Sequence, residues 1–211
     1  MTLIAEKTAI VLIEPQNDFL SPGGTMYAHI ADQLAERHTI AKLQALLPAA
    51  RGKGIKIMFV PFHAFDSGFP ELKRGGPAVE GLRGIEMDME ADWGTGAWVR
   101  GTPGPEIISE LTPEPGDLVI EGKKTLDAFH STALDYLLRA NEIENAVFAG
   151  FHTNWCVESS ARSAYDKGYR VTVLSDCTAT DTEEEQSYAE RLIFPKIGKV
   201  MTSDEFLASV A

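Results

Sequence analysis

The run from Thr8 to Ile13, TAIVLI, is apolar with almost no interruption. A strand with one wet face alternates apolar and polar residues, so this run reads as a strand covered on both faces. KIMFV at Lys56 to Val60 repeats the pattern, and DLVIE at 117–121, residues 146–149 and RVTVLSD at 170–176 add further strands. Helical spacing falls between them: Leu34, Ile40, Leu43 and Leu47 predict one amphipathic helix over 31–50, which Pro48 should shorten or bend. Further helices are expected over 131–139, 153–166 and 183–192, a short last strand over 199–201, and a terminal helix over 204–210. Strands buried on both faces and alternating with helices pack as a mostly parallel sheet between two helical layers. The expectation is therefore an α/β chain: one three-layer αβα domain spanning 1–211, with a mostly parallel central sheet.

Length permits this. A chain of 211 residues buries roughly 70% of its extended surface on folding, enough for one sizeable core without metal or disulfide staples. The glycine-rich stretch 61–115 carries Trp93 and Trp98 but lacks a core pattern of its own, so it is expected to wall a pocket within the same domain. A formal charge of −12 repels phosphate backbones and anionic membranes, which excludes nucleic acid and membrane partners and leaves a small-molecule ligand. The N-terminus does not read as a secretion signal, and no 18-residue apolar run occurs. Only Cys156 and Cys177 are present, with no Cys-x-x-Cys spacing. A cytoplasmic setting is expected.

The chemistry concentrates at strand ends. In AGFHTNWCVESS a buried strand meets a glycine and then a helix, with Cys156 near the helix start. Unpaired N–H groups and the positive end of the helix dipole stabilise a thiolate there, and can receive the oxyanion of an attacked carbonyl. By itself Cys156 also suits buried packing, as Cys177 does. Glu14 ends the first strand, and Lys123 follows DLVIE. Open α/β sheets place their ligand crevice beyond the carboxyl ends of the strands, so a proton acceptor and a cation can meet the thiol in one place. Trp155 can wall the same pocket. Asp18, in NDF, is expected to hold local backbone, and the acidic run 181–185 to begin a helix.

These blocks together, AIVLIEPQNDFLSPGG at 9–24, RGTPGPEIISEL at 100–111, GDLVIEGKKTLDAFHSTALDYLL at 116–138 and AGFHTNWCVESSARSAYDKGYRVTVLSD at 149–176, resemble the isochorismatase-like cysteine hydrolases. That group includes nicotinamidases and ureidoacrylate and biuret hydrolases. The resemblance implies a catalytic trio of Glu14, Lys123 and Cys156, with Glu14 standing where the family usually has aspartate. It implies a cis peptide between Phe151 and His152, an oxyanion hole from the backbone N–H groups of His152 and Cys156, and Phe19 and His152 lining the substrate pocket. It also implies a homo-oligomer. Nicotinamidase-like members hold a metal through Asp-x-His and further histidines, but the matching positions here are Pro61, Phe62 and His63, and His29, His38, His130 and His152 show no metal-site spacing. No metal and no cofactor are expected. The implied activity is hydrolysis of a C–N bond in a small amide, ureide or hydrazide through a thioester. A vinyl-ether hydrolase of the isochorismatase type, or a non-catalytic small-molecule-binding protein on the same scaffold, remains open at this point.

Overall fold

The computed structural model describes residues 2–72 and 90–211. Its strands and helices, in chain order, are β1 (Thr8–Ile13), α1 (Asn17–Leu20), α2 (Tyr27–Arg37), α3 (Thr39–Gly52), β2 (Lys56–Val60), β3 (Glu90–Ala91), β4 (Gly94–Thr95), β5 (Leu118–Val119), α4 (Leu134–Ala140), β6 (Asn145–Phe151), α5 (Glu158–Asp166), β7 (Arg170–Ala179), α6 (Glu183–Tyr188), β8 (Gly198–Met201) and α7 (Ser203–Ser209). Six of the strands form one sheet in the order β5-β2-β1-β6-β7-β8, and every pairing in it is parallel. β3 and β4 make a separate antiparallel ribbon.

The two helical layers follow from strand geometry, because successive side chains point to opposite faces. On one face Ile10, Leu12, Ile57, Phe59 and Val147 pack with Ile30 and Leu34 of α2, Leu43, Leu46 and Leu47 of α3 and Phe206 of α7. On the other, Ala9, Val11, Ile13, Met58 and Phe148 pack with Leu134 and Leu138 of α4 and Ala161 and Ala164 of α5. The parallel three-layer α/β/α arrangement expected from the sequence is therefore the one observed.

Several details differ. The single helix expected over 31–50 is two helices, broken at His38, whose backbone is left-handed with φ 53°. Pro48 does not end the second: α3 runs on to Gly52, because burial of Leu46, Leu47 and Ala50 outweighs one lost backbone bond. The strand expected over 117–121 shrinks to the two residues of β5, an edge strand bonded only to β2. β7 extends three residues past Asp176, so Cys177 lies inside a strand rather than after it. Residues 73–89 of the glycine-rich stretch fall outside the described residues.

Candidate active site

β1 and β6 are neighbours and approach closely at their ends, where Ile13 pairs with Gly150. Gly150 has φ +115°, and a Cβ there would lie 2.1 Å from the Ile13 carbonyl oxygen, so only glycine fits. One residue on, Glu14 leaves β1 with a left-handed φ of 50°, an uncommon conformation for a residue with a side chain. Its amide donates to the Val60 carbonyl at 3.1 Å.

The Glu14 side chain is fully buried and so is that of Lys123. Lys123 Nζ donates to Glu14 Oε1 and to the Thr125 carbonyl, and stands 4.9 Å from the centre of the Phe62 ring. Phe62, just beyond β2, bridges to Lys123 in a parallel sense, and the His63 amide donates to the Lys123 carbonyl at 2.6 Å. Glu14 Oε2 is buried with no hydrogen-bond partner among the described residues. One carboxylate oxygen is thus committed to the ammonium and the other is not.

The Phe151–His152 peptide is cis, as the resemblance implies. Residues Thr153–Val157 then form one π-helical turn that runs into α5 and carries Cys156. This turn is tied down on several sides. Thr153 Oγ1 donates to Gln186 Oε1 at 2.7 Å, Thr180 Oγ1 to Asn154 Oδ1 at 2.5 Å, and Ser160 Oγ to the Cys156 carbonyl at 2.6 Å. Ser160 Oγ in turn accepts the Ala128 amide at 2.9 Å, which links the Cys156 turn to the segment that follows Lys123. Cys156 is 5% exposed and packs in the same cluster as Val60, Ala128, Ile13 and Ile120, the last two of which lead into Glu14 and Lys123. Neither cysteine is in a disulfide. Burial, followed by the charge of Asp176, pushes the Cys177 thiol far above its ordinary pKa and makes it inert.

An aromatic wall runs beside this group. Phe62 and Trp98 have ring centres 4.6 Å apart, Trp98 and Phe19 5.1 Å, Phe19 and His152 4.8 Å, and His152 and Trp155 6.3 Å. Phe19, Trp98 and His152 are buried, and Trp155 is the half-exposed end of the series. Trp98 belongs to this wall, whereas its sequence context left its place open.

Sequence reasoning missed two groups that hold the wall. Gln16 Nε2 donates to the Phe62 and Pro105 carbonyls, and its Oε1 accepts the Phe62 amide at 2.7 Å. Asp181 Oδ1 lies 3.1 Å from His152 Nδ1. Burial opposes charge on Asp181, but the contact and charge of His152, with His29 beyond, outweigh it and hold the carboxyl below its ordinary range. Asp18 has the local role expected: it accepts the Trp98 amide at 2.6 Å and the Thr25 hydroxyl at 2.9 Å. Its burial raises its pKa against those bonds. Among the described residues, no three His, Cys, Asp or Glu side chains are grouped to hold a metal. None of the described helices is long and apolar enough to cross a membrane.

A parallel α/β/α sheet whose carboxyl ends gather a buried carboxylate–ammonium pair and a cysteine-bearing turn defines a hydrolase-like class. Within that class the chain belongs to the isochorismatase family, whose isochorismatase domain matches residues 8–205. Its relatives include the ureidoacrylate amidohydrolase RutB of Stutzerimonas stutzeri, 31% identical over 216 residues that cover 100% of this chain and 86% of the relative. RutB of Rhizobium rhizogenes is 32% identical over 184 residues, covering 84% of this chain and 72% of the relative. Among solved structures, a cysteine hydrolase from Pseudomonas syringae superposes with a TM-score of 0.80 at 23% identity, covering 99% of this chain and 94% of that one. The N-carbamoylsarcosine amidase of Thermoplasma acidophilum gives 0.68 at 26% identity, covering 94% of this chain and 97% of that one.

Proposed function

We propose that this protein is a cysteine-dependent amidohydrolase that cleaves a C–N bond of a small amide, ureide or hydrazide. The observation that carries the reading is the fully buried Glu14–Lys123 pair, whose second carboxylate oxygen is unbonded, next in sequence to Ile13 and close to Ile120, which share one packed cluster with Cys156. A buried ion pair is poor economy for stability alone and fits a proton relay better.

In this reading Glu14 Oε2 takes the Cys156 thiol proton, and the adjacent Lys123 ammonium stabilises the thiolate. Sulfur attacks the carbonyl carbon, and the negative oxygen is received by the backbone N–H groups of His152 and Cys156. Glu14 returns the proton to the leaving nitrogen, the C–N bond breaks, and ammonia or an amine departs from a thioester. Glu14 then takes a proton from water, the hydroxide adds to the thioester, and the C–S bond breaks to release the acid and regenerate the thiol. Phe19, His152 and Trp155 line the substrate pocket, with Trp155 at its half-exposed end.

Relatives named as amidohydrolases and an amidase support a C–N bond as the target. The test is release of ammonia or amine from a panel of small amides, ureides and hydrazides, with intact mass measured during turnover. A mass increment on the wild-type chain that is absent in a folded Cys156→Ala variant is expected. No release from any member of the panel, or release that persists in Cys156→Ala, overturns the assignment.

A further inference from the structure

Thr153 opens the π-helical turn that carries Cys156, and it is fully buried. Such turns are rare and concentrate at functional sites. In this one the Trp155 and Val157 amides both donate to the His152 carbonyl, at 3.2 and 3.1 Å. Two amides share one acceptor, so side-chain bonds supply restraint that the backbone ladder does not. Thr153 is held by Gln186, a fully buried residue of α6. Thr153 Oγ1 donates to Gln186 Oε1 at 2.7 Å, while Gln186 Nε2 donates to Thr178 Oγ1 at 3.1 Å and to Glu190 Oε1 at 2.6 Å. Glu190 Oε1 also accepts Arg37 Nη2 at 2.8 Å.

The outermost pair sets the direction of these bonds. A guanidinium only donates, and the carboxylate oxygen that it meets accepts from its other partners too. The Gln186 amide therefore turns its NH2 toward Glu190, which leaves its oxygen for Thr153. With the amide flipped, two oxygens would meet at 2.6 Å. Both polar ends of the Gln186 side chain are thus used within the protein, and their effect is to align one hydroxyl of the Cys156 turn.

We propose that Gln186 is a positioning residue for Cys156: oriented by the Glu190–Arg37 pair, it fixes Thr153 and, through it, the aim of the sulfur. It acts without touching the reacting atoms. This inference rests on the amidohydrolase reading for the reaction that the sulfur performs, but the thiol itself supplies a test that needs no substrate.

Thr153→Val and Gln186→Met remove the bond from either side, Thr153→Ser keeps it, and the double variant Thr153→Val with Gln186→Met completes a cycle. In each folded protein two quantities are measured. One is the rate at which iodoacetamide alkylates Cys156 at one fixed pH, read by peptide mass so that Cys177 is counted separately. The other is kcat and KM on any amide that the wild type hydrolyses. Loss of the bond should slow alkylation about 10-fold and lower kcat on the order of 10–100-fold, with KM changed less than about 2-fold. Thr153→Ser should recover most of both. The double variant should be no slower than the slower single variant, because the two changes cut one bond. The sign of the alkylation change separates positioning from mere support. A loosened core would uncover a thiol that is 5% exposed and speed its alkylation, whereas a sulfur displaced from the helix start forms less thiolate and reacts more slowly.

Alkylation that speeds up or stays unchanged in Thr153→Val and Gln186→Met overturns the proposal. So does a kcat that holds while KM rises, a Thr153→Ser protein that behaves like Thr153→Val, or single losses that add in the double variant. If one single variant does not fold, the other still cuts the same bond. If alkylation responds as expected while the wild type hydrolyses no amide, the amidohydrolase reading fails and this inference stands. If hydrolysis proceeds through Cys156 but kcat and alkylation ignore both substitutions, the inference alone fails.

Discussion

The Glu14–Lys123 pair gives the sharpest energetic test, because both side chains are completely withdrawn from water. Removing one partner of a buried pair costs about 3–5 kcal/mol, largely from the charge left behind. The two truncations are not equivalent. In Glu14→Gln the ammonium keeps the Thr125 carbonyl and the Phe62 ring and gains an amide oxygen, so a loss of about 3 kcal/mol is expected. In Lys123→Met the carboxylate loses the partner of its Oε1 while Oε2 already has none, which places that variant nearer 5 kcal/mol. Independent losses would sum to about 8 kcal/mol in the double variant. Because the double variant buries no lone charge, it should instead lose no more than Lys123→Met alone, a coupling of about 3 kcal/mol or more. Urea unfolding of the four proteins at one pH measures this through the midpoints and slopes. Additivity to within about 0.5 kcal/mol would show that the two groups do not interact energetically, and the proton relay built on them would fall with it.

Gly150→Ala should cost on the order of 3 kcal/mol or more, from a strained backbone and a side chain driven into β1; a thermal midpoint equal to wild type would contradict the close approach to Ile13. Asp181 has a lowered folded pKa, so its contribution is fully present above the ordinary carboxylate value and is lost as pH falls through the depressed one. Asp181→Asn should therefore be less stable than wild type at about pH 6, with the difference shrinking toward about pH 2.5; a difference that grows in acid reverses the sign and refutes the pairing with His152. Gln186→Leu strips partners from Thr153, Thr178 and Glu190, for which a loss of about 1–3 kcal/mol and reduced turnover are expected, checked by unfolding and product release. Glu14→Asp withdraws the carboxylate by one methylene, and a roughly 100-fold fall in turnover is expected; unchanged rates would show that the extra methylene carries no geometric demand.

Much of the fold was legible because β1 and β2 are buried on both faces, and continuous apolar runs follow directly from that burial. The turn chemistry around Gly150 likewise marked the Cys156 segment without any knowledge of tertiary structure. Elements that depend on packing were less legible. The break at His38 has no glycine or proline to announce it; a left-handed histidine joins α2 to α3. Pro48 carries a strong helix-ending signal that the core beneath α3 overrides. Trp98 could not be placed from its glycine-rich surroundings, since its position depends on Asp18, 80 residues earlier, accepting its amide.

Asp181 shows most plainly where local reading stops. Its neighbours Thr182 and 183–185 are a helix start, with Thr182 accepting the Glu185 amide as the cap, and that local explanation accounts for an acidic run of this kind. Its relation to His152 depends on register instead. Phe148 pairs with Val173 but Gly150 with Thr178 and Phe151 with Ala179, so β7 gains three residues on β6 across the irregularity. Without those three residues the residue opposite Phe151 would be Asp176, and Asp181 would lie well beyond the sheet. The extra length brings the Asp181 carboxylate, 3.1 Å from His152 Nδ1, to the same carboxyl edge as Glu14 and the Cys156 turn. A bulge that lengthens one strand beside a functional edge re-aims the side chains that follow it, and here it sets beside His152 a carboxylate that neither composition nor helix capping foretells.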